Sequence, residues 1–225
     1  MVLIHGGRPR RVRSVTTAPR SRRTSSHRKG DANEQAILGT MERLLADTPL
    51  GEISIADLAA GAGISRSSFY FYFASKDEVL MTLVDRLTVD LEQVVRAMAA
   101  GIAEDPRAGL TMGVEATAQL WRDHGPVLVA TSEAAAGSPE LSTVWNTTVQ
   151  RFVDVNAEMI RAERRRGAAP AGGPSAQDLA TSLIWLNVRS LEAIASGTQP
   201  AASPAKITGV LTEIWLRAIY GATPF

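Results

Sequence analysis

Residues 53–80 read ISIADLAAGAGISRSSFYFYFASKDEVL, and this stretch decides the fold. Ser54 and Asp57 have capping-box spacing: the hydroxyl accepts from an orphan amide of the first turn, and the carboxylate favours the positive helix end. A short helix therefore starts there, with Ile55, Leu58 and Ala59 on one face and a Gly61-to-Gly63 turn at its end. Ile64 plugs the turn into a core. Ser65 then stands where an N-cap belongs, opening a second short helix over 66–72. Two such helices joined by a glycine-containing turn are the helix-turn-helix that reads DNA. In such a unit the second helix enters the major groove, where Arg66, Ser67 and Ser68 can reach base edges or phosphates, with the capping hydroxyls of Ser54 and Ser65 at the helix starts.

The aromatic run Phe69-Tyr70-Phe71-Tyr72-Phe73 is the least ordinary feature. A strand reading fails because the run is bounded by two serine caps with helical periodicity on both sides. Phe69 and Phe73, four apart, are expected in the core, while Tyr70 and Tyr72 offer phenolic groups to phosphates. Ser75 and Glu78 form another capping box. Lys76 in that first turn is a cation where the helix dipole prefers an anion, which points to a nearby phosphate.

Ala62, Gly63, Ser65, Tyr70, Phe73, Lys76 and Leu80 together resemble the N-terminal domain of TetR-type transcriptional repressors. Further strings (AILxTxExLL, GISRxxFYFYFxSK, AERxRGAAP, and IW and IYG near the end) resemble one branch of that family between Ala32 and Gly221. The resemblance implies an all-α homodimer of about nine helices. Its N-terminal three-helix domain binds double-stranded operator DNA, and its C-terminal domain binds a small molecule and thereby releases that DNA. It also implies two ligand-contacting asparagines three apart on one late helix. Asn187 fills the second place and Ile184 the first, which suggests a different or more apolar ligand.

Composition sets the outer bounds. The chain has 225 residues, 45% of them hydrophobic, which is ample for a packed core. Without cysteine there are no disulfides, thiolate metal sites or cysteine nucleophiles. No apolar run is long enough for a membrane span and the N-terminus lacks a signal peptide's apolar stretch, so a cytoplasmic location is expected. The net charge of +1 hides an asymmetry. Residues 1–30 hold nine basic residues and no acid, leaving 15 of the 24 bases to face all 23 acids, a net of −8. Residues 1–30 are accordingly expected as a disordered basic arm, able to add phosphate contacts or simply to be a solvated tail.

Taken in order, the chain divides into that arm, a DNA-binding domain over 31–75 and a helical ligand-binding and dimerisation domain over 76–225. Helix 1 is expected from Asp31 to Asp47, on the stripe Ile37, Leu38, Met41, Leu44 and Leu45, with Pro49 and Gly51 ending it. A long fourth helix follows from Lys76 to about Met98, linking the two domains. Glycine and proline breaks then give five more helices, over 107–123, 127–136, 139–166, 175–196 and 204–220. The last two carry more apolar surface than one partner can cover, and by resemblance they form the two-fold dimer interface.

No catalytic, cofactor or metal motif is present: the three histidines are scattered, and neither a zinc signature nor a P-loop occurs. For a regulator, the helical domain is the natural place for an apolar pocket, with Trp121, Trp145, Phe152, Asn187 and Trp215 as candidate lining residues for a lipophilic effector. Asn187 is the most telling, since a carboxamide among apolar residues needs a partner. Two alternatives stay open at this point: an architectural DNA-binding protein without effector control, and a helical small-molecule-binding protein with a vestigial DNA-binding motif.

Overall fold

The structure, a computed structural model, describes residues 21–221, with side chains from residue 30 onward. Eight helices and no strand occur among the described residues: α1 (Ser21–Leu45), α2 (Ile55–Gly61), α3 (Arg66–Phe69), α4 (Lys76–Gly101), α5 (Pro106–Ala135), α6 (Pro139–Arg165), α7 (Ala176–Ser196) and α8 (Ile207–Tyr220). None of them is long and apolar enough to cross a membrane.

Three boundaries differ from expectation. α1 begins at Ser21, so residues 21–30 of the expected unfolded arm are helical; residues 1–20 lie outside the described residues. α3 stops at Phe69 rather than Tyr72. Phe73 N–H bonds Phe69 O at 3.1 Å, but Phe71 and Tyr72 bond three residues back, tightening the chain into turns that carry both phenylalanines into the core. The third difference reduces nine helices to eight. Gly125-Pro126 kinks α5 instead of ending it, with the departure at His124 (φ −127°, ψ 21°). Pro126 removes one ladder bond, yet Gly125 and Val127 are buried on either side of it, so packing holds the two halves together.

The first three helices and the start of α4 enclose one core. Ile37, Leu38 and Met41 of α1 meet Leu58 and Ala59 of α2, Phe69, Phe73, and Val79, Leu80, Leu83 and Val84 of α4. Two glycines make this tight packing possible. Gly63 has φ +69°, the left-handed turn conformation. At Gly61 an added Cβ would lie 2.4 Å from Thr40 Cγ2, so no larger residue lets α2 approach α1. A second, larger core is built from the rest of α4, α5, α6, α7 and α8.

α4 belongs to both cores. Its 26 residues form a rod of roughly 39 Å at about 1.5 Å per residue. Val79, Leu80, Leu83 and Val84 are buried in the first core, and Leu91, Val95 and Met98 in the second. α5 does the same more locally, placing Val127 in the first core and Leu128 in the second.

Phe69→Ala and Phe71→Ala separate core from surface within the aromatic run. Phe69 is fully buried and Phe71 is 87% exposed. In urea titrations Phe69→Ala should cost about 3–5 kcal/mol, whereas Phe71→Ala should change stability by no more than about 0.5 kcal/mol.

Candidate functional site: a reading face and a buried cavity

The candidate reading face is assembled by its caps. Ser54 Oγ accepts from Asp57 N–H at 3.2 Å while Asp57 Oδ2 accepts from Ser54 N–H at 2.9 Å and from the Ser54 hydroxyl at 2.6 Å. These bonds, the hydroxyl first and the amide second, hold the Asp57 carboxyl below the usual carboxylate range. One turn on, Ser65 Oγ accepts from Ser68 N–H at 3.0 Å and lies 2.9 Å from Ser67 Oγ and 2.8 Å from Ser68 Oγ. Three hydroxyls thus cluster at the start of α3. Arg66 beside them is exposed and forms no ion pair among the described residues, so its guanidinium is open to an anion.

The tyrosines diverge. Tyr70 is 49% exposed, its ring edge-on to Phe69 with centroids 5.7 Å apart, and its phenol points away from the core. Tyr72 is half-buried, and its oxygen accepts from Asn33 Nδ2 of α1 at 2.9 Å, which leaves its own O–H to donate. Phe71, next to them and almost wholly exposed, was missed by sequence reasoning. The signal for it was present: Phe69 and Phe73 claim the inward positions four apart, which leaves the residue midway between them facing out.

Lys76 corrects the sequence reading. Its Nζ donates to Leu50 O at 2.7 Å, Ile53 O at 3.0 Å and Gly51 O at 3.4 Å. All three ammonium protons are therefore directed at carbonyls of the α1–α2 connection, and no phosphate is needed to explain a cation in that helix turn. Lys76 is a staple under the reading face.

The five residues expected around a pocket, Trp121, Trp145, Phe152, Asn187 and Trp215, line one cavity of about 740 Å³, its mouth included, among α4, α5, α6, α7 and α8. Its wall is mainly aliphatic and aromatic and carries no charged side chain. Asn187 finds its partner inside the subunit: its Oδ1 accepts from the Trp215 indole N–H at 3.0 Å. Thr88, Thr117, Thr148 and Asn156 complete the polar part of the wall and were missed. Only the spacing of Asn156, one turn after Phe152, hinted at it.

Two links tie the cavity wall to the reading head. Arg151 on α6 donates to Thr148 Oγ1 in the wall at 3.2 Å and reaches Asp85 and Glu92 of α4 at 3.0 and 3.7 Å. At the α5 kink, His124 Nδ1 contacts Glu42 of α1, and Arg86 of α4 pairs with Glu34 of α1. At the far end a buried Glu163 accepts from Tyr220 at 2.9 Å and pairs with Arg166, fastening α6 to α8; burial and then that carboxylate push the Tyr220 phenol well above its ordinary range.

A helix-turn-helix head mounted on a helical domain with an apolar cavity is the architecture of a transcriptional regulator, and sequence comparison places it. Residues 37–82 match the family described as bacterial regulatory proteins, tetR family, and residues 110–221 match the C-terminal domain of transcriptional regulator EthR. The chain is 42% identical to the HTH-type transcriptional regulator EthR of Mycolicibacterium smegmatis over 94% of its length and 96% of that protein's. Against EthR of Mycobacterium tuberculosis the identity is also 42%, covering 92% of this chain and 96% of the other. The chain belongs to the TetR family of transcriptional regulators, in its EthR-like branch, and this family consists of regulators rather than enzymes. Solved structures agree in fold. NalD of Pseudomonas aeruginosa superposes with a TM-score of 0.68 at 18% identity, over 87% of this chain and all of the other. A regulator from Saccharomonospora viridis, determined in complex with choline, gives 0.65 at 22% identity, over 82% and 95%.

Replacing Lys76 by methionine tests the staple. Loss of the buried part of this network should lower stability in thermal unfolding by about 1–3 kcal/mol. The slope of log affinity for DNA against log salt should stay constant, whereas a lost phosphate contact would reduce it by about one.

Proposed function

We propose that this protein is a homodimeric repressor that holds operator DNA through α3 and releases it when an uncharged lipophilic molecule occupies the cavity. In this reading residues 31–75 form the DNA-binding domain and residues 76–225 the effector and dimerisation domain, acting in the cytoplasm beside the DNA. Arg66, Ser67, Ser68 and Tyr70 meet the duplex directly, the Tyr72 hydroxyl reaches a phosphate, and Ser54 and Ser65 present the helix starts.

The observation that carries the proposal is the double burial of α4. Thr88, Leu91, Val95 and Met98 line the cavity, while Val79, Leu80, Leu83 and Val84 of the same helix are buried in the reading head. A ligand that needs those wall residues displaced moves the head as well. Release then requires that the ligand bind this displaced arrangement more tightly than the DNA-binding one. The absence of charged groups in the wall favours a neutral ligand, because an ion there would lose its water without a partner. A protein of the same fold supports the repressor role: NalD is described as the secondary repressor of a multidrug efflux pump.

Two copies are needed because a lone head covers one half-site. Val210, Ile214 and Ala218 lie exposed at four-residue spacing along α8, and Leu186 on α7 is half-exposed. This stripe is the surface we assign to the second subunit.

Fluorescence anisotropy on the duplex upstream of the protein's own gene, against random duplex over a salt series, tests the reading. Tight and selective binding is expected; equal binding to both duplexes would instead indicate an architectural protein. Tyr70→Ala should weaken binding to both duplexes by the same factor. N-hexylbenzamide, as a neutral lipophilic probe, should displace the wild-type protein. Val149→Trp, which fills the cavity with a bulkier side chain, should hold the DNA at the same probe concentration.

A further inference from the structure

Two threonines of the cavity wall have no hydrogen left to donate into the cavity. Thr88 donates its hydroxyl hydrogen to Val84 O at 2.9 Å, with Asp85 O at 3.1 Å, and Thr117 donates to Gly113 O at 2.9 Å. Both hydroxyls are thereby left with lone pairs alone.

Asn156 is the sharper case. It lies on α6, is 2% exposed and lines the cavity. Its Nδ2 donates to Phe152 O at 2.8 Å, while its Oδ1 has no hydrogen-bond partner. The carboxamide cannot be turned round to relieve this. A backbone carbonyl only accepts, so the amino group must face Phe152 and the oxygen must face away. Asn187 does not satisfy it: its oxygen accepts from the Trp215 indole N–H, and its amino group makes no hydrogen bond to the Asn156 oxygen. A buried acceptor in a mainly apolar wall discriminates strongly between a ligand that donates to it and one that does not.

Resting on the reading of the cavity as the effector site, we propose that the effector is a neutral, largely apolar molecule bearing an N–H or O–H donor, and that Asn156 Oδ1 receives it. Asn156 is thus the residue that selects among lipophilic molecules of similar size. Secondary amides, ureas and alcohols fit; hydrocarbons, ethers and esters leave the oxygen unpaired.

The test is a matched pair, N-hexylbenzamide and hexyl benzoate, which differ by an N–H in place of an oxygen. Binding is read from tryptophan fluorescence, since Trp121, Trp145 and Trp215 all line the cavity. The amide is expected to bind at least about tenfold more tightly than the ester, and Asn156→Leu, close in volume, to reduce the preference to within about twofold while ester binding persists. Equal affinities in the wild-type protein would overturn the proposal while leaving the cavity a ligand site, and that comparison stands even if the variant does not fold. An amide preference that survives Asn156→Leu would remove Asn156 from the role. Failure of both compounds to perturb the tryptophans would instead refute the cavity as the effector site and the proposal with it.

Discussion

The structure depends on one constraint: α4 is buried at both ends in different surroundings. Its first three turns are locked into the head by Val79, Leu80, Leu83 and Val84, and its later turns form a wall of the cavity through Thr88, Leu91, Val95 and Met98. A helix is stiff along its axis, and close-packed cores shift between discrete arrangements rather than deforming smoothly. In the proposed function, filling the cavity acts on the head through this shared helix. The ion pairs flanking the rod reinforce this, because Arg86 and Arg151 fasten α4 to α1 on one side and to α6 on the other. The His124–Glu42 contact gives α5 a separate hold on α1 at its kink.

The reading head was legible from sequence because its determinants are local. The Ser54–Asp57 box, the left-handed Gly63 and the Ser65 cap each act within four residues, and the structure forms all of them. The end of α3 was not legible. A serine marks where a helix starts, but the aromatic run carries no stop, and the stop is set by burial of both Phe69 and Phe73. Lys76 failed for a related reason. Its acceptors lie 23 to 26 residues earlier in the chain, and no helix-dipole argument brings the Leu50–Ile53 segment beneath it.

In the helical domain the balance is reversed. Periodicity gave the helices, and the five aromatic and amide positions expected at a pocket do converge on one cavity. What the sequence withheld is which polar atoms are left without partners there. That depends on contacts across helices, as between Asn187 and Trp215, and on the geometry of single side chains, as at Asn156. Gly125-Pro126 makes the same point for the backbone: the dipeptide signals a break, and only its burial turns the break into a kink within one helix.

The most direct test of the coupling through α4 is the distance between the two reading heads. The chain contains no cysteine, so a spin label at Ala60→Cys, exposed on α2, reports one position per subunit. Double electron–electron resonance on the dimer would be recorded without ligand and with N-hexylbenzamide at a concentration that saturates the tryptophan signal. The account predicts a shift of the label-to-label distance on saturation, away from the spacing of successive major grooves. A saturated cavity with an unchanged distance distribution would contradict it.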